Sequence, residues 1–328
     1  MPLKIIREDI TRVHADAIVN TANPEPVVGR GTDMALYLAA GAEEMLAERK
    51  KIGAIPPGRA AATGAYRLNA RYVIHTVGPE WRGGGFRERE ILGECYANSL
   101  ALADSLKCKS AAFPLISAGI YGFPKAEALS VAFSEIGRFL LSHDMTVILA
   151  VLDRDAFEMS GRLFSDLEDL VGEKEAAARL RREYGAGANA ARGGLPLRPA
   201  ERGARSFSLD EALGTKEDTF TRRLFRLIDE RGLDDVTVYK RANIDRKLFS
   251  KIRSDPNYKP SKTTAIAFAL ALELTLPEAQ SLLARAGYTL SHSYLADIVV
   301  ETCIQKGIFS VLDVNELLFS YDQPLLGS

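Results

Sequence analysis

A chain of 328 residues exceeds one average domain and has room for two, and its 47% hydrophobic content is ample for packed cores. A formal net charge of −1 excludes a global basic field, so any nucleic-acid contact must come from a local patch. Cys95, Cys108 and Cys303 form no CxxC pair, which argues against disulfides and a zinc site; no stretch approaches the ~18 apolar residues of a membrane span, and a soluble, cytoplasmic protein is expected.

Up to about residue 170, short apolar runs alternate with helical patterns. Strands are expected at Leu3–Arg7, Ala17–Asn20, Tyr72–Thr76, Ser110–Pro114 and Thr146–Leu152, with a weaker one at Ala60–Tyr66. Helices are expected at Thr32–Ala40, Arg87–Leu106 and Lys125–Ser142. In the last, Leu129, Ala132, Phe133, Ile136 and Leu140 fall on one stripe. This alternation predicts an α/β fold whose largely parallel sheet is covered on both faces. Ligands on such sheets bind outside the carboxyl ends of the strands.

Beyond Glu173 the composition changes. Glu173–Tyr184 is a charged helical stretch, and Gly185 through Arg205 is rich in Gly, Ala, Arg and Pro, as a flexible linker is. From about Ser206 the pattern is all helical. Helices are expected at Thr219–Arg231, Val236–Ala242, Arg246–Ser254, Ser261–Leu274, Pro277–Ala286, Ser293–Lys306 and Val311–Phe319. The expected division is therefore 1–172, a 173–205 connector and an all-α domain at 206–328.

Two loops carry the chemistry. Ala17–Asn23 runs from a strand into two amides, followed by Val28-Gly29-Arg30-Gly31-Thr32-Asp33. Amides suit sugar hydroxyls because each carries donors and an acceptor, glycines let backbone approach a phosphate, and a carboxylate can orient or activate a water. Ser117-Ala118-Gly119-Ile120-Tyr121-Gly122-Phe123, at the end of another strand, offers successive N–H groups as an anion nest. Gly83-Gly84-Gly85 is a weaker phosphate signal. His75, in an alternating strand, reads as a core histidine.

Together these motifs resemble the ligand loops of a macrodomain, the ADP-ribose module, over about residues 3–170. Glu8-Asp9-Ile10-Thr11 is similar to the family's Gly-Asp-Ile-Thr. The resemblance implies an adenine contact for Asp9 and for the Ile10 backbone; taken alone, Asp9 also suits a turn or helix cap. Asn20 and Asn23 match the family's Asn-Ala-Ala-Asn. In the MacroD-like hydrolytic branch, the positions of Asn23 and Asp33 serve the distal ribose and the attacking water. Arg30 and Thr32 depart from the glycine-rich pattern, and Tyr37 stands where that branch often has histidine. By the same resemblance Gly29, Gly31, Ser117, Gly119, Ile120 and Gly122 hold the diphosphate. Tyr121 or Phe123 lies against the distal ribose, and Phe157 stacks on adenine or belongs to the last helix's core. The implied activity is metal-independent and cofactor-free hydrolysis of ADP-ribosyl linkages, on mono-ADP-ribosylated targets or O-acetyl-ADP-ribose. A non-catalytic reader and an ADP-ribose-responsive regulator stand as alternatives.

Val238–Arg253 resembles the helix-turn-helix of the phage-repressor (Xre-like) class. Eight bases fall in residues 240–262, among them Arg246, Lys247, Lys251 and Arg253, which could contact DNA phosphates. Residues 215–328 nonetheless hold equal numbers of acids and bases, which weakens the DNA-binding reading and slightly favours a structural or partner-binding module derived from the repressor class.

Overall fold

The computed structural model describes residues 2–151 and 218–327. The charged helix, the connector and Phe157 lie outside the described residues.

The first unit is a six-stranded sheet in the order β1-β6-β5-β2-β4-β3, with β1 at Leu3–Ile6, β2 at Ala17–Thr21, β3 at Ala60–Gly64, β4 at Tyr72–Thr76, β5 at Ser110–Pro114 and β6 at Thr146–Ala150. All neighbours run parallel except β3, which pairs antiparallel with β4 at the edge. The period of two distributes each strand between two cores. Ala17, Val19, Ile74, Ala111, Phe113, Val147 and Leu149 face helices α3 (Glu88–Ser105) and α4 (Lys125–Ser142). Ile18, Val73, Ala112 and Ala150 face α1 (Thr32–Ala40) and α2 (Ala42–Ile52). This is a three-layer α/β/α arrangement, and the loops after β2 and β5 open at the carboxyl ends of adjacent strands.

Helix α2 has no counterpart among the expected elements. Its sequence, AEEMLAERKKI, carries only Met45 and Leu46 as large apolar residues before its last position, too few for an amphipathic stripe. It is set instead by Gly41, whose φ of 105° ends α1 and starts α2, and by burial of Met45 together with Arg49.

The second described unit is all helical: α5 Phe220–Glu230, α6 Asp235–Arg241, α7 Arg246–Ser254, α8 Lys262–Ala271, α9 Leu276–Arg285, α10 Leu295–Gln305 and α11 Val311–Ser320. Polar caps define the starts: Thr219, Asp234, Asp245, Ser261 and Ser310 accept from first-turn N–H groups, and Thr275 with Glu278 forms a capping box. One core joins Leu224, Val238, Phe249, Ile252, Phe268, Leu282, Val299 and Leu318.

The two units touch. Asn243, in the turn between α6 and α7 with φ 54°, accepts from the Leu3 N–H through Oδ1 at 2.7 Å and donates from Nδ2 to the Leu3 carbonyl at 3.1 Å. One side-chain amide thus occupies the open edge of β1 as a neighbouring strand would. Lys240 donates to the Leu141 carbonyl at the end of α4, and Arg7 pairs with Asp322 at 2.9 Å beneath the Phe319 ring. No helix among the described residues is long and apolar enough to cross a membrane.

Candidate functional site

The loops after β2 and β5 enclose a cleft of about 490 Å3. Asn23, Gly29, Arg30, Gly31 and Asp33 line one wall, and Ser117, Gly119, Ile120 and Tyr121 the other. A Cβ on Gly31 would lie 3.6 Å from the Ile120 side chain, so the two loops nearly meet.

Asp33 sits in the first turn of α1 and is only 2% exposed. Its Oδ1 accepts from Asn20 Nδ2 at 2.6 Å and its Oδ2 from the Gly29 N–H at 2.5 Å. Burial pushes the carboxyl above its ordinary pKa, while these two bonds and the Arg49 guanidinium oppose the shift. Burial and the nearby Asp33 charge push the Tyr37 phenol up to about 12. Asn23 donates from Nδ2 to the Val27 carbonyl at 3.5 Å. Gly29 separates amide from carboxylate: a Cβ there would fall 2.4 Å from Asn23 Nδ2 and 3.0 Å from Asp33 Oδ2. The loop can bring both groups to one point only because this position lacks a side chain.

Asn20 and Asn23 take different places. Asn20 is fully buried and lies beneath the cleft rather than on it, on the Ile18 face of β2, where it meets Asp33 and His75. The direct ligand contact expected of it is replaced by support of Asp33. His75 is also fully buried, with Nδ1 3.1 Å from Asn20 Nδ2 and Nε2 2.9 Å from Thr63 Oγ1.

The opposite loop turns through positive φ at Ser117 (61°) and Gly122 (66°). The Gly122 N–H donates to the Gly119 carbonyl and the Phe123 N–H to the Ser117 carbonyl. The N–H groups of Gly119, Ile120 and Tyr121, which line the cleft, have no acceptor among the described residues, so they are available as donors to an anion. Phe123 does not reach the cleft. It is 2% exposed and packs on Trp81 at 4.7 Å between centroids, because the loop turns inward to start α4; Tyr121 alone of the two aromatics lines the cleft.

Asp9 caps the short 3-10 turn Ile10–Arg12, its Oδ1 accepting from the Thr11 N–H at 2.9 Å and hydroxyl at 2.8 Å, and Ile10 is buried. Neither lines the cleft. The glycine triplet at 83–85 wraps a carboxylate of the protein itself: Glu88 accepts from the N–H groups of Arg82, Gly84 and Phe86, so that loop is scaffold. Sequence reasoning missed Arg49. It is 1% exposed, donates to the Asn23 carbonyl at 3.3 Å and the Pro24 carbonyl at 3.1 Å, and so fixes the chain that carries Asn23. Its position four residues after Met45 was the available signal. No group of His, Cys, Asp and Glu among the described residues could hold a metal ion.

In the helical unit Arg246, Lys247 and Lys251 are exposed along α7. Arg253 is paired with Asp235 at 2.6 Å and lies over Phe225.

The family model that matches is the Macro domain, over residues 19–132. A "Macro domain-containing protein" of Methanosarcina mazei is 43% identical over 156 residues, covering 47% of this chain and 83% of the relative. An O-acetyl-ADP-ribose deacetylase of Citrobacter rodentium is 47% identical over 141 residues, 42% of this chain and 80% of that protein. Among solved structures, an Oceanobacillus iheyensis macrodomain with ADP is 34% identical and covers 51% of this chain and 92% of its own, with a TM-score of 0.46. The Macro match takes in both cleft loops and stops short of the helical unit. On the extent and identity of these relatives, the chain belongs to the macrodomain family.

Proposed function

We propose that the cleft binds ADP-ribose and that the protein hydrolyses ADP-ribosyl linkages at the distal ribose in the MacroD-like manner, on mono-ADP-ribosylated targets or O-acetyl-ADP-ribose. The observation that carries this reading is the convergence of Asn23 and Asp33 on side-chainless Gly29, opposite a wall whose N–H groups have no acceptor among the described residues. The donor wall and the Gly29–Gly31 turn clamp the diphosphate. Asn23 holds a ribose hydroxyl, and Tyr121 closes the ribose end. Asp33 orients the water and accepts its proton, and the proton then passes to the departing oxygen as the ester or glycosidic bond breaks. Asp9 and the Ile10 backbone lie outside the cleft walls, and their assignment to the adenine end rests on the family resemblance alone. The relatives named O-acetyl-ADP-ribose deacetylase support the activity. Calorimetry with ADP-ribose tests the site: the full chain binds, and Gly122→Glu, which sets a carboxylate beside the nest, abolishes binding. Unchanged affinity in that variant would misplace the phosphate loop.

The helical unit, divided from the first within residues 173–205, is proposed as a repressor-like helix-turn-helix. Arg246 and Lys247 remain exposed at the start of α7 while the Asn243 turn is docked on β1, which favours phosphate contact by an ADP-ribose-responsive regulator. Titration with duplex DNA at two salt concentrations tests it; absence of binding at low salt leaves a protein-binding module.

A further inference from the structure

The buried groups beneath Asp33 form a directed hydrogen-bond chain. Asp33 is an acceptor on both oxygens, so Asn20 must present its NH2 to it. The second amide hydrogen of that NH2 points to His75 Nδ1, which must then be unprotonated. The imidazole proton sits on Nε2 and goes to Thr63 Oγ1, whose own hydrogen goes to the Gly64 carbonyl at 3.2 Å. The donations run outward from the Asn20 amide, one hydrogen to Asp33 and the other to His75 Nδ1, and on from His75 Nε2 through Thr63 to the Gly64 carbonyl. Among the described residues Asn20 Oδ1 is buried without a partner, and His75 and Asp33 are the groups that fix the amide's orientation. Without the Nδ1 acceptor the second amide hydrogen is left buried and unpaired, and the amide, aligned by the Asp33 bond alone, can tilt and carry the carboxylate off its position.

We propose that His75 is a positioning residue for Asp33, acting through Asn20: its bare Nδ1 fixes the amide that holds the carboxylate at the cleft floor. The proposal rests on Asp33 being the group that acts on the water. The chain starts at Thr63 on edge strand β3 and crosses β4 and β2 to the first turn of α1. The groups around the imidazole suit a neutral ring. Tyr37 lies 6.1 Å away centroid to centroid, and burial with the Arg49 charge pushes the His75 pKa down to about 3. Asn20 therefore keeps one orientation across the working pH range.

Two substitutions separate positioning from packing. In His75→Asn the amide oxygen falls near the place of Nδ1 and still accepts from Asn20. In His75→Gln the amide reaches the place of Nε2 and keeps Thr63, but leaves Asn20 without its acceptor. Gln fills the site better than Asn, so a packing role alone ranks Gln as the milder change. Kinetics of the full chain on O-acetyl-ADP-ribose, beside ADP-ribose calorimetry, are expected to rank them the other way. The Asn variant keeps kcat within about threefold of wild type, and the Gln variant loses on the order of tenfold to a hundredfold, with the ADP-ribose Kd unchanged in both. Equal losses, or a Gln variant at full rate, overturn the proposal. Asp33→Ala, run in parallel, separates the two claims: full activity there sinks the Asp33 reading, whereas an inactive Asp33→Ala beside an unaffected Gln variant sinks only the role of His75. Imidazole 15N–1H spectra of the wild type need no turnover. They are expected to place the single ring proton on Nε2 between pH 5 and 8, and a proton on Nδ1 overturns the proposal.

Discussion

Gly29→Ala is the smallest change that tests the catalytic geometry. Gly29 does not lie in the left-handed region, so alanine brings no backbone strain there, and the N–H that holds Asp33 is retained. The new Cβ would lie 2.4 Å from Asn23 Nδ2, whereas ordinary contact begins near 3.4 Å, so the amide must retreat by about 1 Å. Asp33 Oδ2, 3.0 Å from the same Cβ, must give by a few tenths of an ångström. A displacement of about 1 Å in a positioning group costs roughly 10²-fold in rate, or about 2.7 kcal/mol of transition-state stabilisation. Gly29 also belongs to the turn assigned to the diphosphate, but its N–H is retained and the opposite donor wall is unchanged, so kcat is expected to carry the larger loss and Kd a smaller one. The assay is hydrolysis of O-acetyl-ADP-ribose with Kd and Tm measured on the same preparation. An alanine variant with native Tm and a kcat within about threefold of wild type would refute convergence at Gly29 as the working geometry.

Two further outcomes are expected. His75 has a native pKa of about 3, against ~6.5 when unfolded, so below pH 6.5 the unfolded chain takes up a proton that the native state refuses. Stability from this group is present above pH 6.5 and falls with pH, by about 2 kcal/mol at pH 5; the raised Asp33 pKa acts in the opposite sense, adding stability as pH falls through its folded value. Denaturant titrations at pH 7.5 and 5 should show the larger loss in wild type than in His75→Asn, and equal losses would contradict the buried neutral imidazole. For the helical unit, contacts from Arg246, Lys247 and Lys251 predict a log–log salt slope of about −2.7 for duplex binding, and charge reversal at Arg246 and Lys247 should bring it to about −0.9; a salt-insensitive complex would count against phosphate contacts.

Much of the α/β unit is legible in the sequence because its signals are local. Strand alternation gives β2, β4, β5 and β6 nearly to the residue, and Asn and Gly mark where the strands run out into the cleft loops. What stayed hidden depends on long-range contacts. Arg49 looks like one of several surface charges in a polar helix until the fold brings the carbonyls of Asn23 and Pro24 against it. Asn20 and Asn23 look equivalent in the motif. The period of the strand sends the first downward to Asp33 and His75, and only the second remains at the cleft. Phe123 carries no local sign that the loop turns it onto Trp81. Asn243 is a plain turn residue by sequence, and its bonds to Leu3 span 240 positions.

The central claim is that Asp33, held by Asn20 and Gly29 at the cleft floor, performs the chemistry on a bound ADP-ribosyl group. The most direct measurement is product release from O-acetyl-ADP-ribose and from a panel of mono-ADP-ribosylated proteins and nucleic acids, by wild type and Asp33→Ala, with ADP-ribose calorimetry on both. The account predicts turnover by wild type on at least one of these linkages. It predicts a loss of about 10²–10⁴-fold in the variant, with most ADP-ribose affinity retained. Full turnover by Asp33→Ala, or ADP-ribose binding by wild type with no turnover on any linkage, would contradict it; the second result would make the protein a reader of the modification.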